Sequence, residues 1–456
     1  MSPAKTDIRS RARVTQVGTV LLYGIFGLLM FGPLAFGTVE PWSIFVMEAG
    51  SATLFLLWAG KQALEGEVKF RWNPVFLPLV AFGVLIAMQL VFRLSAYPHD
   101  TVCLALQYFS YALLCFLASQ TLVRGAEARS MALMFSVYGG GLAAFSLIQG
   151  ISSNGKLYWI RQPRMGGWIY GPYVNHNHYA GLMELLVPIP LVLSLTRIAT
   201  GKARAVAAAT AAVMVGTIFL SGSRGGMLAI LAELLLLTVL LVKQKRGVRT
   251  AAGIGVFLLI VVSLLVWVGG SELSHRIASV GAGHSDLSSD VRTNINRDGI
   301  RMILKRPVFG WGLGTFPVVY PQFRTFYTNF FVNEAHNDYL QLLIETGFVG
   351  FGIMVWLVVT IYARALKKIK NWSNEVGGAV TLACLLGLTG ILVHSTVDFN
   401  LQIPANAALF YVFCTIAAAE PFAQPARKRR AVRSSRPAEE FPDTAQEVLQ
   451  QPATNF

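Results

Sequence analysis

Five separated stretches place side chains fit for acid–base or anion chemistry beside long apolar runs. NEAHNDYLQLLIETG (333–347) sets Glu334, His336, Asn337 and Asp338 at the mouth of a hydrophobic segment. A neutral imidazole there can accept a hydroxyl proton near physiological pH. SGSRGG (221–226) holds Arg224 in a turn between two apolar runs, where a fixed cation flanked by glycine-exposed N–H groups suits a phosphate oxygen. The stretch from Ser288 to Phe316 carries Arg292, Arg297, Arg301, Lys305 and Arg306 ahead of PVFGWGLGTF. Arg297 and Arg301 are four apart and, with Ile300, Met302 and Ile303, read as an interfacial amphipathic helix whose basic residues meet lipid or water. Arg292, just before that helix, would add its charge to backbone donors at a helix N-terminus, which favours an anion.

Simpler roles compete for each residue. Arg224 could snorkel to head groups, and His336 could be structural beside a helix capped by Asn337 or Asp338. Asp338, Gln341 and Glu345 recur at i, i+3 and i+7, so their stripe must face protein or water. In NHNHYAG (175–181) His176 and His178 do not share a helical face and no carboxylate cluster adjoins them, so a metal site is not expected. Asn175 and Asn177 would cap a helix or hydrogen-bond a sugar. In HSTVDFNLQIP (394–404) His394, Ser395 and Asp398 are triad residue types without a nucleophile elbow. We therefore read Asn175, Asn177, Asn337, Asp338, Glu345, His394 and Asp398 as the polar lining of one cavity.

The elements that must position these residues are hydrophobic helices. The 456 residues are 54% hydrophobic and 13% charged, far from the roughly 25% charge of soluble domains. Runs long enough to span a bilayer lie near 17–36, 42–60, 75–93, 103–122, 130–150, 179–196, 205–221, 226–242, 251–268, 339–362, 377–394 and 402–419. The expected organisation is a cytoplasmic N-terminus (1–16), helices 1–9 (17–268), a periplasmic loop domain (269–338), helices 10–12 (339–420) and a disordered cytoplasmic tail (421–456). The first run lacks a cleavage site and reads as an uncleaved helix. Cys103, Cys115, Cys384 and Cys414 fall inside the runs and read as buried small hydrophobes. With twelve helices, Lys61, Arg124, Arg197, Lys243 and Arg364 mark loops on one side, so both termini are expected in the cytoplasm. The net charge of +15 is then chiefly a topology signal, and a nucleic-acid partner is not expected. All five polar stretches fall on the other, extracytoplasmic side.

Residues 165–404 resemble the O-antigen ligase and polymerase superfamily of bacterial membrane glycosyltransferases. The resemblance rests on GPYVNHNHYA, SGSRGG, Arg292 about fifteen residues before PVFGWGLGTF, and AHNDYLQLLIETG. One departure is Asn296, where many relatives carry an aromatic. The resemblance implies an all-α integral membrane protein of the GT-C kind, with a helical periplasmic domain between helices 9 and 10, in the bacterial inner membrane. It implies a glycan donor on undecaprenyl diphosphate, an acceptor such as lipid A-core or another glycan, and transfer on the periplasmic face without metal or other cofactor. By motif position it makes Arg224 and Arg292 the diphosphate clamp and His336 the catalytic base. Ligase-like transfer is the leading expectation and polymerisation of lipid-linked repeat units the alternative. A secondary transporter fits less well, because its sites would lie at the midplane between two similar halves.

Overall fold

Apolar runs bounded by proline, asparagine and glycine become helices. In a computed structural model, which describes residues 3–163, 169–243, 289–328 and 330–420, these are α1 (Pro3–Leu34), α2 (Pro41–Glu65), α3 (Phe76–Val91), α4 (Pro98–Thr121) and α5 (Gly125–Ile151). They continue as α6 (His176–Leu186), α7 (Pro188–Leu195), α8 (Gly201–Ser221), α9 (Arg224–Lys243), α10 (Ser289–Lys305), α11 (Asp338–Lys368), α12 (Val376–His394) and α13 (Pro404–Ala418). Proline opens α2, α4, α7 and α13 at a position where no N–H is missed. Glu127 opens α5 by accepting from Val123 and Arg124 N–H at 2.7 and 2.8 Å.

The protein is an all-α integral membrane protein. Among the described residues nine spans are long and apolar enough to cross a bilayer, and α3 and α13 are shorter apolar helices. The expected ninth run (251–268), the first part of the loop domain (269–288) and the tail (421–456) lie outside the described residues. The described residues belong to one unit, Met1–Ala423. α12 packs against α6, α7, α9, α11 and α13, and Leu185, Ile218, Leu237, Leu385 and Phe413 are buried around it.

Three local features differ from the sequence reading. The run at 179–196 is two helices, broken at Val187 because Pro188 cannot donate to the preceding turn. α10 begins before Arg292, which therefore sits in its first turn. Rather than lying alone at the interface, α10 buries Ile295 and Met302, and its Gly299 faces Leu340 and Ile344 of α11. Finally, Cys103 is exposed, 3.7 Å from His99 one turn back on α4.

α11 is bent at Gly347 (φ 65°, ψ −169°). A bend frees backbone groups, and in an apolar setting each needs a partner. The N–H groups of Phe348 and Val349 donate to Pro307 and Val308 carbonyls at 2.8 and 3.2 Å. On the other side, Ile344 and Glu345 carbonyls accept from Trp311 and Gly312 N–H, both at 2.9 Å. Gln89 of α3 also donates to the Glu345 carbonyl (2.9 Å) and to that of Phe309 (2.7 Å), and accepts from Leu313 N–H (3.1 Å). The turn after α10 is thereby threaded through the bend. A Cβ on Gly347 would lie 2.3 Å from Val308 O. Gly347→Ala should destabilise the protein by about 2 kcal/mol or more, read as a lower unfolding midpoint in detergent; an unchanged midpoint would contradict the threading.

Candidate active site

His336 owes its position to its neighbours. Its backbone is left-handed (φ 53°), a conformation that histidine tolerates better than most residues. Ala335 N–H donates to Gln341 Oε1 at 2.9 Å, Asn337 Oδ1 caps α11 by accepting from Leu340 N–H at 3.1 Å, and Asp338 N–H donates to Ser395 O at 3.0 Å. The chain is thus held on both sides of the histidine. The ring points at the 395–400 loop, with Nδ1 3.5 Å from Asp398 Oδ1 and its plane nearly perpendicular to Phe399, centroids 4.7 Å apart. Its side chain keeps 15% exposure, and Nε2 makes no hydrogen bond among the described residues.

Asp398 is buried at 1% exposure and lies between a cation and the imidazole. Arg292 Nη2 approaches its Oδ2 at 4.0 Å while Arg292 Nη1 donates to Val397 O at 3.2 Å. Phe399 N–H donates to Asp398 Oδ1 at 2.9 Å. Burial alone would raise the Asp398 pKa. The close approach of the His336 imidazole and the fields of His178 and His394 outweigh it and hold the carboxyl well below its usual range. An ionised Asp398 can orient His336 and stabilise an imidazolium.

Arg224 opens α9, exposed and without a hydrogen bond or ion pair among the described residues. Its turn is held by Ser223, whose Oγ accepts from Gly226 N–H at 3.1 Å, and by a close approach to α12: a Cβ on Gly225 would lie 2.4 Å from the His394 ring. His394 is itself buried, with Nδ1 2.8 Å from Glu184 Oε1 of α6. Its carbonyl accepts from Asp398 N–H at 3.1 Å. One buried pair therefore links the Arg224 turn to the Asp398 loop.

The Asp338 and Glu345 carboxylates accept hydrogen bonds from neighbouring segments. Asp338 Oδ2 accepts from Ser395 Oγ (2.7 Å) and Leu401 N–H (3.1 Å), and Oδ1 from Gln402 Nε2 (3.4 Å). Glu345 Oε1 accepts from Phe316 N–H at 3.3 Å and Gln341 Nε2 at 3.4 Å. Asn175 caps α6 by accepting from Asn177 N–H at 2.8 Å, and Asn177 is buried. His178 meets the same loop as His336: Nδ1 is 3.3 Å from Asn400 Oδ1, and its ring stands 4.6 Å from Phe399. Of the residues assigned above to a polar lining, Asp338, Glu345, His394 and Asp398 are buried and bonded to protein. Sequence reasoning missed Phe399 and Glu184. The signal for Glu184 was there, since a lone carboxylate inside a spanning run is costly without a partner; nothing marked Phe399.

Arg224, Arg292 and His336 keep exposed or partly exposed side chains and come from one continuous part of the chain. Residues 209–355 match the family model described as O-antigen ligase. This segment is similar to the O-antigen ligase family. The matched segment runs from within α8 into α11 and contains all three residues, whereas Asp398, Phe399 and Glu184 lie beyond it. No curated protein matches the chain. The match supports a ligase- or polymerase-type role in surface polysaccharide assembly.

Glu334, beside the site, accepts from Gln341 Nε2. Burial, helped by the charges of Glu345 and Asp338 and opposed by the Gln341 bond, pushes its pKa from 4.5 up to about 8. The folded state then holds a proton that the unfolded chain releases, so stability should fall as pH rises from about 4.5 to 8. The unfolding midpoint in detergent should decline across that window in the parent and decline less in Glu334→Gln; parallel slopes would refute a protonated Glu334.

Proposed function

We propose that this protein transfers a glycan from undecaprenyl diphosphate to an acceptor hydroxyl, ligase-like, at the periplasmic face of the inner membrane. The observation that carries this reading is the Arg292–Asp398–His336 array, with Arg224 tied to the same loop through His394. Leaving diphosphate is strongly anionic, and two cations that keep donors unspent are the groups it needs. Arg224 and Arg292 would hold its oxygens. His336, with Nε2 uncommitted, would take the proton of the acceptor hydroxyl as that oxygen attacks the anomeric carbon. The bond from that carbon to the phosphate oxygen breaks, and its electron pair leaves on the diphosphate. Asp398 would keep the imidazole oriented and offset the charge it gains. Asn296, one turn after Arg292 and with a buried Oδ1 that has no hydrogen-bond partner among the described residues, is placed for a sugar hydroxyl. Basic loops such as those with Lys61, Arg124 and Arg364 fall at the helix ends away from the site, which supports a periplasmic site under the positive-inside bias.

His336→Ala, with membrane expression maintained, should lower transfer of lipid-linked glycan by about 10²–10⁴-fold, the contribution of a positioned base; near-parental turnover would remove the histidine from the chemistry. Arg292→Ala and Arg224→Ala should raise the donor KM about tenfold or more while changing the acceptor KM little. Equal changes in both would count against a diphosphate clamp. In a deletion strain, surface lipopolysaccharide without any added glycan fits a ligase, and caps of one repeat unit would transfer the reading to a polymerase.

A further inference from the structure

The turn that threads the bend of α11 also closes one side of a second cationic feature. A cavity of about 280 Å³ lies between the end of α3 and this turn, lined by Arg93, Leu94, Arg306, Val308 and Gly310 among others. Arg306 Nη1 donates to Leu94 O at 2.8 Å, and its guanidinium lies 4.2 Å from the Trp311 ring centroid. Trp311 is fixed in turn by its Nε1 donating to Met302 O at 3.0 Å. Arg306 is therefore pre-positioned by neutral partners that leave its charge uncompensated. Arg93 has no side-chain hydrogen bond or ion pair among the described residues. The cavity thus brings together two cations with no carboxylate.

The place of Arg93 in the chain is itself informative. The helix α3 ends with Arg93 N–H on Leu90 O (3.2 Å) and Leu94 N–H on Gln89 O (2.9 Å), and Arg93 is left-handed at φ 53°. Glycine is the favoured residue at such a helix end, so the arginine is not there for the backbone. Its depth follows from the bend: residues 348–368 of α11 are enough to cross a hydrocarbon core of about 30 Å. If that stretch crosses the core, Pro307 and Val308, bonded to its first N–H groups, would lie at the membrane surface. Around this level Phe92, Leu304, Val308 and Phe348 are exposed, at 65, 74, 52 and 60%. Exposed apolar side chains beside two cations match an anionic head group attached to acyl chains.

We propose that Arg93 and Arg306 bind the phosphate of a membrane lipid at the face of the protein that carries His336. The guanidinium of Arg306, already seated on Trp311, supplies a fixed fork and Arg93 closes over the phosphate from α3. A lipid held there lies against the turn whose backbone Glu345 and Gln89 fix.

Purified full-length protein in detergent can be titrated with short-chain phosphatidic acid, the matching diacylglycerol and inorganic phosphate, with bound lipid counted by native mass spectrometry. One phosphatidic acid should be retained by the parent and by Lys305→Gln, with at least fivefold lower occupancy in Arg93→Gly and Arg306→Gln. Arg93→Gly is the decisive variant, because glycine suits this backbone and folding should be intact. Undiminished occupancy in Arg93→Gly would overturn the site, as would equal retention of diacylglycerol. Displacement by inorganic phosphate at equal concentration would overturn the lipid and leave a soluble anion. Since no glycan transfer is read, failure here is separable from failure of the transferase reading.

Discussion

The carboxylate of Asp338 holds the site together. It joins the first turn of α11 to the 395–402 loop through Ser395, Leu401 and Gln402, and a return bond runs from Asp338 N–H to Ser395 O. His336 lies two residues before this anchor, while Asp398 and Phe399 lie inside the loop it grips. Without it the imidazole and its carboxylate would belong to two independently moving segments. A buried acceptor that loses its donors costs about 1–3 kcal/mol per group, so the network is either satisfied as a whole or unstable as a whole.

The same rule explains why the bend in α11 is filled by protein. A helix interrupted near a bilayer exposes N–H and C=O groups that lipid cannot satisfy. Here the 307–316 turn supplies carbonyls to one side and N–H groups to the other, and Gln89 completes the set from α3. The consequence reaches beyond stability. Because the turn follows α10 directly, its fixed path also sets where α10 lies, and Arg292 is carried in the first turn of that helix. Glu345 adds a further constraint by receiving Phe316 N–H. Position of the arginine is thus inherited from the repair of a helix break.

Legibility in the sequence followed local physics. Helices, caps and the buried stripe of Asp338, Gln341 and Glu345 were readable because apolar length, proline and asparagine act over a few residues. Arg224, Arg292 and His336 stood out because a charge at the edge of an apolar run demands a reason. The roles of the other polar residues were not readable in this way. Asp398 and His394 looked like cavity lining, and their partners, His336 and Glu184, are tens to hundreds of residues away. Cys103 was taken as buried because hydropathy averages over both faces of a helix, and only packing says which face is covered.

By itself the sequence determined that the chain is helical and membrane-spanning, and which cations and which histidine sit at helix ends, since these depend on local composition and period. Only the tertiary structure decided that Asp398 stands between Arg292 and His336, that Phe399 separates two histidines, and that Asp338 and Glu345 accept hydrogen bonds from distant loops. Those facts depend on which loops meet at one face, and that is set by the satisfaction of buried polar groups across the bundle, a condition no short stretch of sequence contains.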